Sequence, residues 1–176
     1  MANREVLMAL QGRLADRLQT AKSEGLSIAW LAVKAGGLNY LFPLAQSGEI
    51  FPLPHVQVVP YTQHWFLGVT SLRGGLHGVV DWTAYLGHGT APARSDAQPL
   101  KASVITFSQD LDLNCALKVE ALAGLRHAED FVTILAPAPD APPFFGSLYQ
   151  DKEGHNWQEI NLQLLAQQPQ FLSINA

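Results

Sequence analysis

The stretch Gly68–Trp82, GVTSLRGGLHGVVDW, sets an arginine between two apolar runs, follows it with paired glycines, and ends on an aspartate within otherwise apolar sequence. Leu72-Arg73-Gly74-Gly75 reads as a hairpin-like corner, because the two residues after Arg73 can take φ > 0 while the strand before it holds the guanidinium. A half-buried guanidinium cannot shed its charge and pairs bidentately with carboxylates. Glu49, which opens the run EIFPL, is its expected partner across neighbouring strands. Two roles stay open for such a pair: an ion pair that fixes two strands, or a charge presented to a partner. Asp81, ahead of WTAYLG, reads as a turn or hydrogen-bonding residue rather than a catalytic base.

From Ile28 onward the chain is cut into short runs rich in Val, Ile, Phe, Tyr and Trp, broken every few residues by Gly, Pro, Asn or Asp. That spacing predicts a mainly all-β sandwich or small barrel. The predicted strands are SIAWLAVK, LNYLFPL, EIFPL, HVQVVP, FLGVTSL, LHGVVDW, ASVITFS, NCALKVEALAGL and FFGSLYQD, with a glycine hairpin at KAGGLNY. Ahead of them, between Arg4 and Lys22, Leu7, Leu10, Leu14 and Leu18 recur three or four apart, which predicts a helix ended by Ser23-Glu24-Gly25. Such a stripe docks on its own protein or on a partner.

GHGTAPARSDAQP, residues 87–99, predicts a long loop, and the prolines of APAPDAPP, residues 136–143, keep that stretch out of a central strand. HNWQEINLQLL predicts a short C-terminal helix that stops near Pro169. The organisation is therefore a helical extension over residues 1–25, one domain of two β lobes over 26–170, and a tail over 171–176.

With 48% hydrophobic residues, 176 residues are enough for one domain with a real core. The net charge of -4 and the lack of a basic block argue against nucleic acid. The longest apolar run, Leu26–Val33, falls far short of the roughly 20 residues of a membrane span, and the N-terminus lacks a secretory pattern. A cytoplasmic location is expected, without membrane insertion. Cys115, the single cysteine, reads as a small buried hydrophobe.

His55, His64, His77, His88, His127 and His155 are scattered singly, with no second ligand at metal-site spacing. The glycine-rich pieces lack the Lys-Ser/Thr of a P-loop, and there is no nucleophile elbow. Glu129-Asp130 are two carboxylates side by side on a polar turn, not an acid/base pair. No catalytic, cofactor or metal residues are assigned, and no enzyme activity is expected.

The order LNYLFPL, GEI, VVP, FLGVTSLRGGLHGVVDWTAYLG, CALKVEALAGLR and FFGSLYQDKEGHNWQEINLQLL resembles the CheW-like domain family from about Ile28 to Leu165. The Leu72-Arg73-Gly74 corner with Gly68 five residues before the arginine is its most specific part. The helix in front and the tail QQPQFLSI resemble the PilI-like branch, the coupling proteins of the chemosensory system of type IV pili and twitching. The chain departs from the family at Ser47, His77, Gly78, Lys118 and Glu120.

The resemblance implies two five-stranded SH3-like barrels side by side. It also implies a non-enzymatic adaptor that couples the cytoplasmic tips of methyl-accepting chemoreceptors to the regulatory domain of a CheA-type histidine kinase, beneath membrane receptor arrays. Glu49, Gly68 and Arg73, with Gly74, match positions linked to this coupling. A receptor helix tip is expected in an inter-lobe groove walled by the strand at Glu49-Ile50 and the strand at Val119-Glu120, with Ile50 and Val119 as apolar anchors or, alternatively, as core residues of their own barrels. The competing function is a small β-barrel that encloses a low-molecular-weight ligand, recognisable by an enclosed cavity with convergent polar groups.

Overall fold

The computed structural model describes residues 28–88 and 102–176. The helix expected over Arg4–Lys22 and most of the 87–99 loop lie outside the described residues.

Among the described residues, eleven strands form two sheets. In chain order they are β1 (Ala29–Ala35), β2 (Leu38–Pro43), β3 (Ser47–Pro52), β4 (Phe66–Leu72), β5 (Gly75–Asp81), β6 (Ser103–Phe107), β7 (Cys115–Val119), β8 (Ala121–His127), β9 (Phe131–Leu135), β10 (Phe145–Asp151) and β11 (Asn156–Ile160). Short helices α1 (Trp82–Tyr85), α2 (Leu162–Leu165) and α3 (Pro169–Leu172) and two 3-10 turns, Gln109–Leu111 and Ala128–Asp130, complete the described elements. One sheet runs β3-β6-β7-β5-β4 and the other β8-β1-β2-β11-β10-β9. The double-barrel expectation holds, with six strands rather than five in the second sheet. The lobe of β3–β7 is an insertion between β2 and β8; the outer lobe is built from both ends of the described chain.

Two hairpins are set locally by two-residue turns with positive φ at both positions, Gly36-Gly37 (60° and 75°) and Arg73-Gly74 (46° and 77°). This turn matches the right-handed twist of the flanking strands. At the second corner Arg73 itself takes the left-handed conformation, and Gly75 begins β5 opposite Leu72. HVQVVP forms no full strand, yet it closes the inserted barrel: Gln57 and Val69 exchange backbone hydrogen bonds of 2.8 and 2.9 Å, so the chain leaving β3 seals the open edge of β4.

The run NCALKVEALAGL is two strands. At Glu120 it leaves β6 and β5 of the inserted lobe and joins β1 of the outer lobe. FVTIL and NWQEI form strands outside the predicted set, and NWQEI takes the place of the first part of the predicted C-terminal helix. Pro169 opens α3 instead of stopping α2. The expected tail is held in place: Phe171 is buried and stacks on Trp65 and Phe107, and the Gln63 N–H donates to the Ile174 carbonyl at 2.7 Å.

The outer faces of the sheets meet in one large core. Leu31, Val33, Tyr40 and Phe42 from the outer lobe pack with Val80, Ile105, Leu117 and Val119 from the inserted lobe around Trp82. Smaller clusters fill the barrels, Trp30, Leu41, Tyr149 and Trp157 in the outer one and Leu72, Val79, Val104 and Ala116 in the inserted one. Because the largest apolar cluster is shared between lobes, packing the two barrels together contributes directly to their hydrophobic stabilisation. Asp81 caps α1, accepting from the Ala84 N–H at 3.1 Å, and its second oxygen accepts from Lys118 Nζ at 3.0 Å. This pair gives the unusual Lys118 its reason: a carboxylate this buried needs a charged partner.

Candidate functional site

The Arg73–Glu49 pair forms, with Arg73 Nε 2.6 Å from Glu49 Oε2. It differs from expectation in two ways. Strands β3 and β4 lie at opposite ends of the sheet order, so the pair spans the barrel's closure and not adjacent strands. Both side chains are also exposed, 72% for Arg73 and 51% for Glu49, so the guanidinium is not half-buried. Water screens such a pair, and it contributes about 0–1 kcal/mol to stability. The pair lines an open depression with His77, Thr106, Asp110 and Asp112, leaving a charged corner on the surface of the inserted lobe.

Gly68 and Gly74 have different reasons. Gly74 completes the left-handed turn, and nothing lies near where its Cβ would stand. Gly68 is buried at φ 137°, and a Cβ there would run into the Gln57 carbonyl that seals the barrel. Among the described contacts Gly68 is therefore a closure residue whose side-chain absence lets two backbones meet.

Ile50 and Val119 part company. Val119 is 1% exposed within the inter-lobe core, so it is no surface anchor. Ile50 pairs with Ile105, which pairs with Leu117, so it points to the same inter-lobe face, but at 43% exposure it stands at the uncovered margin. Glu120, half-buried at the lobe switch, is occupied internally: its Oε1 accepts from the Gly36 N–H at 3.0 Å and its N–H donates to the Lys34 carbonyl. Because β3 and β7 flank β6 in one sheet, they do not face each other as two walls.

The outer lobe supplies the other apolar residues of the margin. Leu125 is registered with Leu31 and Leu122 with Val33, which puts both on the inter-lobe face of β1 and β8. Leu44, whose N–H donates to the Ala29 carbonyl, continues the same face beyond β2. All three are exposed, Leu44 at 44%, Leu122 at 42% and Leu125 at 55%. With Ile50 they are exposed apolar residues on the sheet faces that elsewhere build the core shared by the lobes, an apolar margin in that sense. The sequence held one signal for this, the leucines of EALAGL, but nothing local separated them from core residues.

The remaining chemistry is structural. Burial pushes the Cys115 thiol up to about 12, which leaves it an inert hydrophobe. Asp151, Glu153 and His155 come together in the β10–β11 turn, but the buried Asp151 is spent on Trp157 Nε1 (3.0 Å) and on the backbone N–H groups of Glu153 and His155. Burial alone would raise the Asp151 carboxyl; these hydrogen bonds outweigh it and hold it at about 2. In the outer barrel, burial raises the Glu159 carboxyl above its ordinary range, against the pull of the hydrogen bond from Trp30 Nε1 at 2.9 Å. Aromatic and aliphatic side chains fill both barrels, and the depressions beside Arg73 and beside Trp65 are open to solvent, unlike the enclosed pocket expected of a ligand-binding barrel. None of the helices among the described residues is long and apolar enough to cross a membrane.

Comparison with known proteins places this geometry. A family profile for the CheW-like domain matches residues 29–170. The chain is 26% identical over 165 residues to Protein PilI of Pseudomonas aeruginosa, covering 92% of this chain and 88% of that protein. Its fold resembles the crystal structure of the scaffolding protein TtCheW from Thermoanaerobacter tengcongensis, with a TM-score of 0.61 at 16% identity over 76% of this chain and 88% of the other.

Proposed function

Because the chain belongs to the CheW-like domain family, we propose that it is a non-enzymatic adaptor that couples the cytoplasmic tip of a methyl-accepting chemoreceptor to the regulatory domain of a CheA-type histidine kinase. The observation that carries the reading is that Leu44, Ile50, Leu122 and Leu125, on the faces that build the inter-lobe core, are exposed among the described residues. An amphipathic helix lays its apolar face into such a surface, with polar contacts at the rim setting register. The exposed Glu49–Arg73 corner is suited to the second partner, since rim charges act on partner choice more than on folding. The similarity to Protein PilI over most of both chains supports a type IV pilus and twitching system as the setting. Cytoplasmic work beneath a receptor array follows from these partners.

Titration calorimetry with a receptor-tip hairpin and, separately, with the kinase regulatory domain tests the reading. Both are expected to bind, the first lost on Leu125→Asp and the second weakened on Arg73→Ala. Failure of the unmodified chain to bind either one removes the adaptor function.

A further inference from the structure

Among the described lysines and arginines, Arg126 is the one that is covered yet unpaired. Arg73 has Glu49 and Lys118 has Asp81, while Lys34 and Lys152 stand exposed to water. Arg126 is half-buried, pairs with no carboxylate among the described residues, and keeps its Nε buried without a hydrogen-bond partner.

Its place on β8 explains the isolation. Arg126 is registered with Trp30, which puts it on the barrel-core face of the strand, whereas its neighbour Leu125 is registered with Leu31 on the inter-lobe face. The guanidinium lies over the Trp157 ring, 5.2 Å from its centroid, and Ala123 and Ala128, before and after it in the chain, pack on the same aromatic cluster. The carboxylates that reach this cluster are engaged elsewhere, Asp151 with Trp157 Nε1 at 3.0 Å and Glu159 with Trp30 Nε1 at 2.9 Å. β8 is also an end strand of its sheet, so among the described residues no further strand of that sheet lies beyond Arg126.

A cation–π contact serves the π face of the guanidinium but gives its N–H groups no acceptor. Covered polar groups are normally paired, and an arginine cannot escape the cost by losing its proton. What is missing is a negatively charged acceptor, and the planar fork matches a carboxylate. One cation on a chain of net charge -4 is too little for nucleic acid, which needs several phosphates neutralised. The apolar surround instead suits an acidic side chain delivered with apolar neighbours, and an arginine on aromatic surface is the kind of residue that concentrates binding energy at a protein interface.

We propose that Arg126, with the Trp157 ring beneath it, is a docking site for an acidic peptide segment of a partner protein, which supplies one carboxylate to the guanidinium. The site lies on the opposite face of β8 from Leu122 and Leu125, so it is separate from the surface assigned to a receptor tip and does not depend on that reading.

The Arg126 Nε–H is a direct reporter in nitrogen–proton correlation spectra of the full chain, assigned by its absence in Arg126→Gln. End-blocked Leu-Glu-Leu and Leu-Gln-Leu peptides are the probes, with acetate as the control and tryptophan emission as the readout in the variants. A saturable shift of the Nε–H signal with the glutamate peptide is expected, with binding roughly tenfold weaker for the glutamine peptide. Arg126→Lys, which keeps the charge and loses the fork, should bind several-fold more weakly than the parent. Arg126→Met, with the near-ultraviolet dichroism of the tryptophans unchanged, should bind no better with glutamate than with glutamine, which separates lost charge from lost packing. No shift at any peptide concentration overturns the proposal, as does equal binding of the two peptides by the parent. A response to acetate as strong as that to the glutamate peptide also overturns it and leaves an adventitious ion only. A shift that develops when the chain is concentrated alone overturns it too, by assigning the carboxylate to a second copy.

Discussion

Arg73 reaches Glu49 across the seam of the inserted barrel, Nε to Oε2 at 2.6 Å, joining the β4–β5 corner to the strand at the opposite end of the same sheet. Arg73 holds φ 46° to do so, a left-handed conformation that costs a residue with a Cβ about 1–2 kcal/mol. Stability and coupling are therefore expected to separate at this position. Arg73→Gly relieves the backbone and loses only an exposed ion pair, so it should melt at or above the parent, while Arg73→Ala should be about 1 kcal/mol less stable than Arg73→Gly. Both should weaken kinase binding. Thermal melts that put the glycine variant below the alanine variant would contradict the turn assignment.

Gly68 should behave oppositely. Its φ of 137° and the Gln57 carbonyl facing it leave no room for a side chain, so Gly68→Ala is expected to cost about 3 kcal/mol or more by opening the Gln57–Val69 closure. Urea titration measures this directly. A Gly68→Ala chain with the parent's midpoint would show that the barrel does not depend on that approach.

Val119 and Leu125 separate core from surface. Val119→Asp puts an unpaired carboxylate into the inter-lobe core and should cost several kcal/mol, enough to unfold a marginal domain. Leu125→Asp, at an exposed position on the same face, should shift the melting temperature by no more than a few degrees and still abolish receptor-tip binding. Equal melting of the two variants would falsify the division between floor and margin.

Asp151 predicts an acid limb in the stability profile. Its carboxyl lies at about 2 against an ordinary 3.8, so the folded state binds this proton less readily than the unfolded chain. The contribution is complete above about pH 4 and is lost as pH falls through about 2. Asp151→Asn loses that dependence, because an amide cannot accept from Trp157 Nε1 on one side and two backbone N–H groups on the other. It should be about 2 kcal/mol less stable than the parent at neutral pH and show a shallower decline between pH 4 and 2 in chemical denaturation.

Glu159 has the opposite sign. Burial raises its carboxyl, so the folded state prefers the protonated form and is destabilised as pH rises through the carboxylate range. Glu159→Gln keeps an oxygen for Trp30 Nε1 and removes the buried charge. The variant should match the parent at low pH and exceed it in stability above the range in which Glu159 ionises. A parent that stays ahead at neutral pH would mean that the charged form is held by more than this hydrogen bond.

The corners and the chemistry were legible in the residues alone. KAGG and LRGG announce two-residue hairpins because left-handed turns are a local property of the residues that occupy them. The β class followed from runs punctuated by Gly and Pro. Glu49 was the partner expected for Arg73, although the burial that made a partner necessary is absent, and Cys115 and Asp81 took the bland roles that their neighbours suggested. What local pattern could not carry was which sheet each strand joins and which apolar residues stay covered. CALKV and ALAGLRH read as one strand, yet they part at Glu120 because the first half is claimed by β5 and β6 and the second by β1, about ninety residues earlier in the chain. NWQEI fits a helix as well as a strand until β10 and β2 take up its backbone groups. Val119 and Leu125 are both apolar residues on strand-forming sequence, and both point to the inter-lobe face. One is core and the other is surface only because the opposite lobe reaches over the first and stops short of the second, a boundary set by the packing of two sheets brought together from distant parts of the chain.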